Sequence, residues 1–261
     1  MENSNRTIKV LVQILLTSVL LSGCVSTLSS EGKEQDQEVH EQKNLEIAYG
    51  FLVNGYPFRA IERLQGILKA NSNSAKAYGM LGVVYKAQGE LELAKQNFRK
   101  SLKLDPDASD VRNNYGVLLY EQGDYTGAQK EFRRVTEDIY YSQRSRTFEN
   151  LGIVDLRLNN QEKAKAHFER ALRLDHNLPV AAFELAEILF DRKDYVASEG
   201  YYQSYLTMTK GQRPSARGLW LGIQLAKIFK QTEQMGSYVD QLSRFYPESA
   251  QYREYLASLK K

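Results

Sequence analysis

Cys24 is the single thiol of this 261-residue chain, and His40, His167 and His176 are its only imidazoles. Zinc sites draw on such side chains at close, repeated spacings. No two of these four stand at ligand spacing from one another. A lone cysteine also excludes an intramolecular disulfide. His176 falls where a turn residue is expected, and Glu90, Glu92, Asp105 and Asp107 fall near expected helix ends, where capping and the helix dipole account for carboxylates. There is no glycine-rich phosphate loop, since Gly82, Gly116 and Gly152 occupy packing positions described below. The residues therefore give no basis for an enzyme, a bound metal or a cofactor.

Cys24 has a different setting. Arg6 and Lys9 precede an apolar run from Val10 to Leu21, the pattern of an export signal. Twelve helical residues rise about 18 Å against a hydrocarbon core of about 30 Å, so the run reads as a signal rather than a spanning anchor. Leu21-Ser22-Gly23-Cys24 resembles the bacterial lipobox. That resemblance implies a thiol that is diacylated, a signal of residues 1–23 cut before Cys24, and a new amino group that is acylated, with palmitate among the chains. An ordinary signal peptide with an incidental cysteine is the competing reading. Several acyl chains, at about 0.8 kcal/mol per buried methylene, hold a protein on a bilayer essentially permanently. In such lipoproteins an Asp just after the cysteine tends to retain the protein at the inner membrane. Val25 and Ser26 stand there, which implies outer-membrane export, with the array on the periplasmic face. Loss of Glu2, Arg6 and Lys9 with the signal lowers the net charge from +3 to +2.

The elements that follow carry the rest of the reading. Residues 24–40 are polar and predict a flexible tether. In the stretch 75–108, Tyr78, Leu81, Gly82, Tyr85, Ala94, Phe98, Ser101 and Pro106 have the spacing of a 34-residue tetratricopeptide unit, with Ser101 where the motif prefers Ala. Leu81 and Tyr85 share one face of a first helix, Gly82 leaves room for a second, and Gly89 and Pro106 end the two. One such hairpin cannot bury its own apolar face, so neighbours are required. The equivalent small residues are Ala48, Gly82, Gly116, Gly152, Ala186 and Gly222, at intervals of 34, 34, 36, 34 and 36. They define a domain over 41–261 with repeats at 41–74, 75–108, 109–144, 145–178, 179–214 and 215–248, and a cap at 249–261. The extra length near Tyr140 to Arg144 predicts a projecting surface feature. The fold class is all-α, a right-handed superhelical array of six helix hairpins with a short C-terminal cap.

Thirty-five basic and 32 acidic side chains are spread without a block, which gives no reason to expect nucleic acid. The first helices of such hairpins form the concave wall, and here that wall is unexpectedly apolar. Leu45, Tyr49, Leu52, Val53, Gly79, Val83, Val117, Tyr120, Ile153 and Leu156 are the candidate partner-binding groove, placed chiefly in repeats one to three. For each of these side chains taken singly, burial against the adjacent second helix is the alternative.

Export signal, lipobox, tether, six units and end cap together resemble the pilotin lipoproteins of type IV pilus biogenesis. The strings NNYGVLLYEQGDYTGAQKEF from Asn113, FENLGIVDLRLNNQEKAKAHFERALRLD from Phe148 and LGIQLAKIFKQTEQMGSYVDQLSRFYPES from Leu221 carry the match. The resemblance implies a monomeric protein that escorts subunits of the pilus secretin to the outer membrane and permits their assembly, in support of twitching motility. Its implied partners are the secretin subunit and, through Cys24, the lipid bilayer. A lipoprotein of outer-membrane barrel assembly, or a scaffold regulating a cell-wall enzyme, would use the same kind of groove.

Overall fold

The computed structural model describes residues 25–259, and among them every regular element is a helix. Contacts divide the chain into two compact units, one ending at Pro106 and the other beginning at Asp107. In the first unit, α1 (Val25–Val53) pairs with α2 (Pro57–Ala70), and α3 (Ala75–Ala87) with α4 (Leu91–Leu104). The second unit holds four hairpins: α5 (Ser109–Glu121) with α6 (Tyr125–Glu137), α7 (Arg144–Arg157) with α8 (Gln161–Leu174), α9 (Pro179–Asp191) with α10 (Tyr195–Met208), and α11 (Ala216–Ile228) with α12 (Thr232–Phe245). A final helix, α13 (Ala250–Ser258), packs on α11.

The second helix of each hairpin buries one narrow stripe. On α4 this is Ala94, Phe98 and Ser101, and on α8 it is Ala164, Phe168 and Ala171, all at i, i+4, i+7. Inner first helices bury far more of their circumference, as Ala181, Ala182, Phe183, Leu185, Ala186, Ile188 and Leu189 of α9 show. The cause is their position between α8 and α10.

Close packing within a hairpin depends on the small position of the first helix and the ring of the second. A Cβ on Gly82 would stand 2.5 Å from the Phe98 ring, and one on Gly116 2.7 Å from Phe132. Repeat one makes the complementary choice, with Ala48 facing the smaller Leu64, and both are fully buried. Ser101 is fully buried too, because its hydroxyl donates to the Ala75 carbonyl at 2.7 Å. Ser198 does the same to Ala186 at 2.8 Å. A hydroxyl thus replaces the usual Ala methyl without leaving a polar atom unsatisfied.

Between first and second helices the chain turns through a left-handed residue, which is Gly55, Gly89 and Gly123 in the first three repeats but Asn159, Lys193 and Lys230 in the last three. Where the sequence predicts a projecting feature near Tyr140 to Arg144, α6 and α7 are joined by the loop 138–143.

The structure differs from the flexible tether expected over 24–40: from Val25 onward the backbone is helical and runs without a break into the first repeat. Glu, Gln and Lys, which dominate the stretch 31–43, lose little rotamer freedom in a helix. The helix is also held to the hairpin beneath it. Glu41 accepts from the Ser74 hydroxyl at 2.6 Å and from the Asn71 amide at 3.0 Å, and Asn44 accepts from Arg63 at 3.2 Å. The signal segment and Cys24 lie outside the described residues.

Candidate functional site

In the first unit, the wall of α1 and α3 contains Leu45, Tyr49, Leu52, Val53, Gly79 and Val83. Tyr49 and Val53, one helical turn apart, are 54% and 61% exposed. Leu52 and Val83 are half-buried, with Leu52 packed against the core beneath, and Gly79 is buried. Leu45 corrects the expected groove. It is only 6% exposed and belongs to the core with Ala48, Leu64 and Leu81. Its position is covered because α1 must bury residues against both α2 and α3, so its inward face is wider than a single stripe.

Two further apolar residues, outside the expected groove, are also exposed. Tyr56 and Phe58, in and just after the α1–α2 turn, are 53% and 78% exposed. The sequence held a signal for Tyr56. At the equivalent place the other repeats carry Glu90, Asp124, Asn160, Asp194 and Gln231, and Asp124 and Asp194 cap their helices through the side chain. Tyr56 cannot cap, and α2 begins without a side-chain cap. Arg59 lies over the Tyr56 and Phe51 rings at 5.3 and 5.9 Å from their centroids, so a cation borders these rings. Beside it, a cavity of about 1280 Å³ is lined by His40, Glu41, Asn44, Phe51, Arg63 and Ile67, among others.

In the second unit, Val117, Tyr120, Ile153 and Leu156 are all half-buried. Ile153 and Leu156 pack against the cluster around Phe168 and Leu185, so much of their surface serves the core. The Tyr120 hydroxyl accepts from Arg157 at 3.2 Å, and its ring meets Tyr125 at 5.4 Å. Further along, the wall becomes ionic. Arg217 binds Glu184 at 3.0 and 3.1 Å, also contacts Glu187, and lies 5.0 Å above the Phe183 ring. Burial pushes the Glu187 carboxyl above the ordinary carboxylate range, and Arg217 pulls it back only partly.

Glu149 shows how neighbouring hairpins are tied. Its carboxylate accepts from the Ala181 backbone N–H at 2.8 Å, closing the start of α9, where Leu178 offers no side-chain cap. Burial raises its pKa, and that hydrogen bond opposes the rise. Asp155, fully buried, is held by Gln129 at 2.6 Å and His167 at 2.8 Å, a pairing that joins three helices. His167 thus has a structural partner. Among the described residues no group of three or more His, Cys, Asp or Glu is arranged to hold a metal ion, and no helix is long and apolar enough to cross a membrane.

Models of the tetratricopeptide repeat match residues 75–108, 107–177 and 150–216. The type IV pilus assembly protein PilF of Pseudomonas aeruginosa is 36% identical over 246 residues, which cover 94% of this chain and 96% of that one. The solved structure of Pseudomonas aeruginosa PilF superposes with a TM-score of 0.80, covering 85% of this chain and 99% of that one. The crystal structure of PilW, a widely conserved type IV pilus biogenesis factor, is 21% identical with a TM-score of 0.67, covering 83% and 98%, and shares the fold.

Proposed function

We propose, from the premise that this chain belongs to the tetratricopeptide-repeat family of the type IV pilus assembly protein PilF, that it is an outer-membrane lipoprotein of pilus biogenesis that delivers and multimerises the secretin. The observation that carries the reading of the surface is the exposure of Tyr49 and Val53 on α1, with Tyr56 and Phe58 also exposed close by in sequence. Large apolar side chains left in water within one short stretch mark an interaction site. A secretin subunit on its way to the outer membrane presents unpaired, apolar segments that would otherwise aggregate. Covering such a segment with these side chains keeps it soluble, and acyl chains on Cys24 direct the complex to the membrane where the ring forms.

The division between exposed and half-buried wall residues selects the test. A charge at Leu52 or Val83 would strike the core as well as the surface, so loss of function there would be ambiguous. Tyr49→Glu and Val53→Glu change exposed positions on a helix whose buried face is elsewhere. In cells carrying either variant, secretin multimers on an unheated gel of the outer-membrane fraction are expected to be lost, with the protein at normal abundance and helicity. Normal multimers in the double variant would remove this surface from the mechanism. Cys24→Ser is expected to leave secretin monomer in the inner membrane.

A further inference from the structure

We infer that the loop 138–143 of the second unit is an interfacial tip that inserts into an anionic lipid surface, giving the folded array a membrane contact of its own. Both interrepeat connections that lengthen the 34-residue period could have been built from polar residues, and only one is. The connection 209–215 reads TKGQRPS, whereas 138–143 carries Ile139 and Tyr140, which are 65% and 91% exposed. The tip is held in shape from within. Asp138 accepts from the Ser109 hydroxyl at 2.7 Å and from the Tyr140 backbone N–H at 3.0 Å, and Arg144 donates to the Thr136 carbonyl at 2.8 Å. An aliphatic residue beside a tyrosine on a shaped support suits the boundary between headgroups and acyl chains, where an amphipathic ring places its body in hydrocarbon and its hydroxyl in water.

Charge selects the partner. Lys130, Arg133 and Arg134 precede the tip on α6, Arg146 follows it on α7, and all four are exposed. Against them stand the negative charges of Glu137, of Asp138, which accepts from the Ser109 hydroxyl and the Tyr140 N–H, and of Asp110 beside Tyr141. Glu131 is taken up by Arg112 at 2.6 Å. Across 130–146, Lys130, Arg133, Arg134, Arg144 and Arg146 thus outnumber Glu131, Glu137 and Asp138 on either side of an apolar point, which complements a surface of anionic phospholipid.

This inference rests on the anchored reading above only in that the acylated cysteine brings the array to lipid. The full acylated chain is reconstituted on vesicles of phosphatidylethanolamine and phosphatidylglycerol, with an environment-sensitive dye on the thiol of Tyr140→Cys or, as a control in the polar loop, Lys210→Cys. The parent chain takes up dye only if Cys24 is not acylated, and flotation with the vesicles reports the anchor separately. The dye at position 140 is expected to shift to the blue and to lose emission to nitroxide-bearing lipid, while the dye at 210 does neither. The shift should weaken in Ile139→Asp, on purely zwitterionic vesicles, and in 1 M salt, where the screening length falls to about 3 Å from about 10 Å at 0.1 M. Equal behaviour of the two dyes on chain that floats would overturn the inference. So would a shift at 140 that appears only when a soluble periplasmic protein is added, since the tip would then be a protein-binding site.

Discussion

Gly152 sets how closely α7 and α8 approach, because a Cβ there would stand 2.5 Å from the Phe168 ring. Replacing it with Ala brings two opposed effects. Helix propensity gains about 1 kcal/mol, while overpacking a full core costs about 1–3 kcal/mol. The ring has little room to retreat, since Phe168 is fully buried, so Gly152→Ala is expected to destabilise by about 1–2 kcal/mol net in urea unfolding. Phe168→Leu in the same chain recreates the Ala48–Leu64 pair of repeat one and should recover part of that loss, a coupling that strictly additive costs would disprove. Glu149 makes a pH-dependent contribution of definite sign. Its folded pKa lies above the ordinary 4.5, so the folded state holds the extra proton and stability falls as pH rises from 4.5 through the raised value. Glu149→Gln retains an acceptor for the Ala181 N–H and should flatten that part of a thermal-melting profile against pH. An unchanged profile would assign the slope to other groups such as Glu187.

The turns between paired helices show how one structural demand is met by different residues. Each requires a positive φ, which costs an ordinary L-residue about 1–2 kcal/mol and costs Gly only unfolded-state entropy of about 0.5–1 kcal/mol. Lys193, at φ 63°, sits on an otherwise regular turn in repeat five. Lys193→Gly is therefore expected to stabilise the chain by about 0.5–1 kcal/mol, seen as a higher urea midpoint with an unchanged slope. Asn159→Gly should gain less, because Asn tolerates this conformation. The α1 helix makes the opposite point. Its polar first half has no apolar stripe of its own, and the bonds of Glu41 and Asn44 to Ser74 and Arg63 fasten the helix only where the first repeat begins.

At the scale of the molecule, a repeat array draws its stability from each unit and its immediate neighbours, so an insult at one end stays near that end. After the sixth hairpin, α13 lies on α11, Ser249 caps it, and Tyr252 and Tyr255 pack on the core around Leu219 and Leu225. The Tyr246 hydroxyl further ties the end of α12 to the Pro214 carbonyl at 2.9 Å. Removing residues 249–261 is expected to speed amide exchange in α11 and α12 and to leave α3 and α4 as protected as before. Equal acceleration in α3 and α4 would show that the chain unfolds as one body. The same locality suits the proposed function, because exposed residues on the first hairpin and a loop between α6 and α7 can change independently.

Six hairpins were legible in the residues alone because tight helix pairs admit only a small residue opposite a large one, and that constraint recurs at Gly82 and Phe98, Gly116 and Phe132, and Gly152 and Phe168. The extra length near Tyr140 was legible for the same reason, as a break in a fixed period. Which apolar wall residues face water was not. Leu45 and Tyr49 lie four apart on α1, yet one is core and the other surface, because packing against two neighbouring helices buries an arc whose edge only coordinates locate. The left-handed conformations of Asn159, Lys193 and Lys230 were likewise hidden, since the surrounding helices impose a backbone that these residues do not favour. Local periodicity determined the hairpins of this protein, and tertiary packing decided which of its apolar side chains remain exposed for a partner.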